Sequence, residues 1–190
     1  AVTVSGAVGT DIGTVTVTQS GGTTFSSTVD AVTAVTLTAT TGTITFTGAL
    51  TAATLNTANA GYNVAINGGG TITNAVTFSN SGTLTLAGTT AFTGGVTATS
   101  PSSRTISGTV SAAGTGVITL GTVSITGDST IGGASTGQIT IGAATLSDSR
   151  TLTVGAGAGT PISLSSVTGT AGSSTSNLTI NTTGAVTVSG

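Results

Sequence analysis

The sequence predicts an all-β fold, a parallel β-helix (β-solenoid) of about nine coils with about 20 residues each. Three observations carry this reading. Threonine is about a quarter of the 190 residues, and Gly, Ala, Ser and Val make up most of the rest. Thr and Val are β-branched and favour strands, whereas helix formers other than Ala are scarce. Short segments with apolar residues at alternate positions recur along the whole chain, as half-buried strands require. The apolar pairs of successive segments recur at an interval of about 20 residues, the range of solenoid repeats.

The alternating segments, in order, are Thr14-Val-Thr-Val-Thr18, Val35-Thr-Leu-Thr38, Thr43-Ile-Thr-Phe-Thr47, Asn63-Val-Ala-Ile-Asn67 and Thr83-Leu-Thr-Leu86. They continue with Val117-Ile-Thr-Leu120, Gln138-Ile-Thr-Ile141, Thr151-Leu-Thr-Val154, Asn177-Leu-Thr-Ile180 and Val186-Thr-Val188. Gly, Asn or Ser bounds each one, the punctuation of turns. Val15 and Val17 recur as Val35 and Leu37, and Ile44/Phe46 recurs as Val64/Ile66 and then as Leu84/Leu86. Leu86 leads to Ile106 at the same interval. Ile118/Leu120 leads to Ile139/Ile141, Val123/Ile125 to Ala144/Leu146, and Ile131 to Leu152, each at an interval one longer. The phase slips between Leu37 and Val64 and between Ile106 and Ile118.

These positions predict an interior of Val, Ile, Leu and Ala with Phe25, Phe46, Phe78 and Phe92, and an exterior of stacked Thr and Ser. Asn59 and Asn80, one coil apart in sequence, are expected to pair on one turn ladder. Pro101 and Pro161 read as turns, with softer segments at 97–104 and 155–161. The chain is expected to be one domain, residues 1–190. Residues 1–6, AVTVSG, return as residues 185–190, which predicts one 184-residue unit of a tandem array plus a six-residue overlap. No signal-peptide pattern starts at Ala1, which suits an excised segment whose neighbouring copies would act as caps. The competing architecture is a β-sandwich filament subunit joined to its neighbours by strand exchange.

Three segments carry a family likeness: Ser149-Arg-Thr-Leu-Thr-Val154, Gly159-Thr-Pro161 with Ile162-Ser-Leu164, and Asn177-Leu-Thr-Ile-Asn181-Thr-Thr-Gly-Ala-Val-Thr-Val188. In style and period the chain resembles the repeats of giant bacterial surface adhesins, the filamentous-haemagglutinin-like and autotransporter-passenger-like proteins. The resemblance implies a right-handed parallel β-helix, exported to the cell surface, that forms a fibre, stalk or adhesin shaft. It supplies no functional residue.

Very little chemistry is encoded. The chain has no His, Cys, Met, Trp, Lys or Glu; its ionisable side chains are Asp11, Asp30, Asp128, Asp148, Arg104, Arg150 and Tyr62. A net charge of −2 with two Arg argues against nucleic acid as a partner. No apolar run is long enough for membrane insertion, and no basic amphipathic segment marks a membrane surface. Asp128 and Asp148 would lie on adjacent coils at a separation suited to a glycosidase pair. The structural reading has Arg104, Asp128 and Arg150 alternating up one corner as surface ion pairs. No catalytic residue is assigned, and the chain is expected not to be an enzyme. No cofactor is assigned, and four scattered Asp do not make a calcium site. The glycine runs at 68–70 and 155–159 lack the Lys and the helix of a phosphate loop. Thr-x-Thr at 14–18, 36–38, 43–47, 71–73, 83–85 and 151–153 is similar to the arrays of ice-binding solenoids, but does not recur on every coil. The expected partners are neighbouring repeats or identical subunits end to end, with lateral self-association, in an extracellular setting.

Overall fold

Alternation puts one face of each short strand inside, and Gly-containing corners turn the chain before a strand can grow long. The computed structural model describes residues 1–172 and 174–190. Among them the elements are strands, paired in parallel throughout. Turns of about 21 residues stack some nine high as a β-solenoid with three walls. A sandwich is built of antiparallel sheets, so the parallel ladders remove the strand-exchanged sandwich alternative.

The first wall stacks Val2–Val4, Thr23–Phe25, Thr43–Phe46, Asn63–Ile66, the first halves of Thr83–Phe92 and Ser103–Ser111, Val123–Ile125, and the second halves of Ile139–Leu146 and Ile162–Gly169. The second wall takes the first parts of Val8–Ser20, Val29–Thr40 and Leu50–Thr57, then Gly70–Ile72 and the second halves of Thr83–Phe92 and Ser103–Ser111. It ends with Ser129–Gly132, Thr151–Val154 and Asn177–Ile180. The third wall takes the later parts of Val8–Ser20, Val29–Thr40 and Leu50–Thr57, then Val76–Thr77, Gly95–Ala98 and Val117–Leu120. The first halves of Ile139–Leu146 and Ile162–Gly169 follow, and Val186–Val188 closes it.

Like residues therefore stack in columns. Val4, Phe25, Phe46, Ile66, Leu86, Ile106, Ile125 and Leu146 form one inward column of the first wall. Phe25 and Phe46 lie parallel within it, ring centres 5.1 Å apart. Phe78 and Phe92 meet edge to face inside, so all four Phe are interior as expected. Burying each such side chain contributes about 1.5–3 kcal/mol. The second wall has the less apolar interior: Leu50, Gly70, Thr90 and Val110 share one column, and the Thr90 hydroxyl is buried without a partner.

Several expectations are corrected. Ile131 pairs with Val154, while Leu152 pairs with Ser129. The phase slips are changes of wall: Leu37 belongs to the third wall and Val64 to the first, as do Ile118 and Ile106 respectively. Turn length is not constant, because the corner between second and third walls is longer in the C-terminal half (112–116, 133–138, 155–161, 181–185) than at 73–75 or 93–94. Asn59 is exposed and Asn80 fully buried, so they form no ladder. Both segments expected to be soft are corners with buried anchors: Pro101 and Arg104 are buried in one. In the other, the buried Thr160 hydroxyl donates to the Ser135 carbonyl. The two AVTVSG segments stand on different walls, Val2–Val4 on the first and Val186–Val188 on the third.

Candidate functional site

The charged side chains come first, because they carry most of the available chemistry. Asp128 and Asp148 do fall on adjacent turns, at the corner between first and second walls. Both carboxylates act on the corner of the next turn: Thr151 N–H donates to Asp128 Oδ1 at 3.0 Å, and the Thr170 hydroxyl to Asp148 Oδ1 at 2.9 Å. A carboxylate at such a corner ties one turn to the next through a side-chain hydrogen bond.

Arg104 does not join them. It occupies an inward position of the first wall, in register with Leu84, and is 7 % exposed. Its guanidinium donates to the carbonyls of Ala98, Thr99, Pro101 and Thr122. Burial holds its pKa below the ordinary guanidinium value. The alternating charge corner of Arg104, Asp128 and Arg150 is thus not formed. Carbonyls take the place of a carboxylate, and the cation clamps one corner from inside. Gly121, on the turn above, leaves the room the guanidinium fills.

Tyr62 is equally internal. Its hydroxyl donates to the Leu37 carbonyl at 3.2 Å, and Asn80 above it donates to the Tyr62 carbonyl at 3.1 Å. Tyr62 and Asn80 fill the widened corner between third and first walls on successive turns. Glycines 69 and 70 lie at a corner with φ of 68° and 133°, so they serve the turn. Among the described residues no group of three or more His, Cys, Asp or Glu could hold a metal ion, and no helix is long and apolar enough to cross a membrane. Surface hollows at the two ends are the core seen end-on. Val4, Val17 and Phe25 line one; Leu146, Val167 and Leu178 line the other.

What remains is the outward surface. On the first wall one outward column runs Thr3, Thr24, Thr45, Ala65, Thr85, Thr105, Ser124, Thr145, Thr168, one residue per turn. Thr-x-Thr is absent from several turns, as the sequence reading has it, yet this column is small throughout and hydroxylated at every position but Ala65. The third wall carries Thr77, Thr97, Thr119, Thr140, Ser163 and Thr187 in the same manner. The second wall carries Thr109, Thr130, Thr153 and Thr179.

Two further patterns escaped the sequence reading, although both keep the spacing of one turn. Asn56, Asn63 and Asn74 donate from Nδ2 to the hydroxyls of Thr36, Thr43 and Thr54 on the turn below. Glycines 48, 68, 88 and 108 stack at the corner between first and second walls. Their signal lies in the spacing of polar and glycine positions, which the apolar alternation does not mark.

Charge is segregated. Asp11 and Asp30 belong to the second wall, and Asp128, Asp148 and Arg150 to the corner leading into it. Among the described residues, the outward side chains of the first and third walls include no ionisable group. The arrangement offers a long, neutral hydroxyl surface on a rod whose charge lies on the second wall and its leading corner. No family model matches the chain, and no curated protein or solved structure is significantly similar to it.

Proposed function

We propose that the chain is a non-catalytic shaft segment of a fibre, stalk or adhesin, exported to the cell surface. The observation that carries the reading is the parallel ladder that runs through about nine turns. Each turn bonds to the turn below and the turn above, so a load along the axis is shared by three walls at every level. Asp128 and Asp148 are spent on corners, and the conspicuous polar interior groups, Arg104, Tyr62 and Asn80, bond to backbone carbonyls. The same hexapeptide serves on the first wall at one end and on the third at the other. The exported, adhesin-like setting rests on the resemblance of the Thr/Gly/Val repeats.

Fibre diffraction of the native material tests this reading. A meridional reflection near about 4.8 Å, the strand spacing, is expected if turns stack along the fibre axis. Discrete beads with no such reflection would overturn it.

Ice binding is the second reading, favoured by one observation: the first wall's hydroxyl column is filled on nearly every turn. Threonine columns on the other walls weigh against it, since exposed strands favour Thr in general. A growth-melt gap in ice crystals held in solutions of the protein would support ice binding; freezing behaviour equal to that of a protein of similar size would exclude it.

A further inference from the structure

We infer that the outward face of the first wall is a self-association surface, on which a second copy of this chain packs face to face; the inference rests on the shaft reading. Charge points to this wall. Both copies carry a net charge of −2, so they meet without like-charge opposition only where neither presents a charge. The four Asp and Arg150 lie on the second wall or at its leading corner, and the charge of Arg104 is turned inside. Charged residues on an exposed sheet keep it solvated and unpaired, and the first wall lacks that protection.

Regularity points to the same wall. Its central turns keep a constant register interval, Val64 to Leu84 to Arg104, with one corner lined by stacked glycines. The third wall is also neutral, but the corner beside it varies from the short 93–94 to the long 155–161, and Val117 stands out from it, 44 % exposed. Two copies share one axial period by construction, so threonine methyls and hydroxyls of one column can interleave with those of another, as in dry zipper contacts between sheets.

Area sets the strength. Thr43, Thr45 and Thr47, which alternate with inward Ile44 and Phe46, mark three outward columns about 7 Å apart, and about nine turns of about 4.8 Å give a face of roughly 600 Å² per copy. Two such faces bury on the order of 1,200 Å², the lower edge of stable interfaces. One segment therefore pairs weakly, and contact grows in proportion to shaft length, which makes bundling a property of long shafts.

Sedimentation velocity across a concentration series tests the assignment, with the intact chain and two double variants. Thr85→Lys with Thr105→Lys charges the first wall; Thr109→Lys with Thr130→Lys charges the second. Far-ultraviolet circular dichroism first establishes that both remain folded. The wild type is expected to associate reversibly, the first-wall pair to weaken association about tenfold or more, and the second-wall pair to change it less than about twofold. A monomeric wild type overturns the inference. So does association that both pairs leave intact, which would mean contact through the coil ends, or association that the second-wall pair abolishes. None of these outcomes touches the strand-spacing reflection, so the shaft reading fails or stands separately.

Discussion

At the residue scale, Arg104 separates two ideas of what a solenoid interior needs. Its column neighbour is Leu84, and the wall continues through Val123 on the next turn. By pattern alone a leucine belongs there, and by packing alone Arg104→Leu would be neutral or favourable. The guanidinium, however, supplies four carbonyls at a buried corner, and an acceptor left unsatisfied there costs about 1–3 kcal/mol. We expect Arg104→Leu to destabilise the protein by roughly 2 kcal/mol or more, read as a lower urea midpoint; an unchanged or higher midpoint would mean the carbonyls need no donor. Tyr62 gives a pH-dependent counterpart. Burial raises its pKa above the ordinary 10.0, and contacts with Ala58 and Thr57 only partly oppose this. The folded state therefore keeps the phenol neutral while the unfolded chain ionises near 10. That contribution to stability is whole below pH 10 and is lost as pH rises through 10 toward the higher native value. Unfolding midpoints measured from neutral to alkaline pH should fall across that window, and Tyr62→Phe should flatten the fall. Tyr62 is the sole Tyr and there is no Trp, so tyrosinate absorbance reports the same event directly.

At the scale of elements, the corners decide how closely turns approach. A Cβ added at Gly68 would overlap backbone atoms of Gly48 and Thr47 on the turn below. Backbone cannot swing aside as a side chain would, so Gly68→Ala should cost about 3 kcal/mol. Gly61→Ala is the matched control, since nothing lies within 4 Å of its added Cβ; similar losses of urea-midpoint stability in the two variants would remove the close-approach argument. Walls and corners also differ in how far the sequence discloses them. The first and third walls are legible because residues such as Ile44, Phe46, Ile118 and Leu120 alternate with Thr and recur at an offset close to one turn. The second wall is much less so: its inward column holds Gly70 and Thr90, which no apolar pattern marks as interior. Corners are least legible of all. Asn80 and Arg104 are polar by type and look external, yet a widened corner lets each reach carbonyls inside. The neutral first wall was hidden for a related reason, since Ala65 and Ser124 interrupt a Thr motif while preserving a small-residue column.

At the scale of the whole molecule, stability should fall from the middle outward. A central turn has partners on both sides, whereas an end turn has one. Burial follows this: Thr151–Val154 alternates between half-buried and buried, but Asn177–Ile180 directly above it is exposed at every position, as is Val186–Val188. Val2, Ile12, Leu178, Ile180, Val186 and Val188 are large apolar residues exposed on the first and last turns, where a central turn would have a neighbour to cover them. In a stack of units coupled mainly to their neighbours, opening starts at an end and each turn lost exposes the next. Amide hydrogen exchange resolved by peptide should then give a gradient, slowest over residues 44–125 and faster by steps toward both termini. The steps should be unequal, because the C-terminal turns have longer corners and fewer buried residues than the Phe25 and Phe46 end. Covering one end by a further turn should slow exchange at that end alone. Uniform protection from the first turn to the last would mean that the stack opens as one unit, and the neighbour-by-neighbour account of the rod would fail.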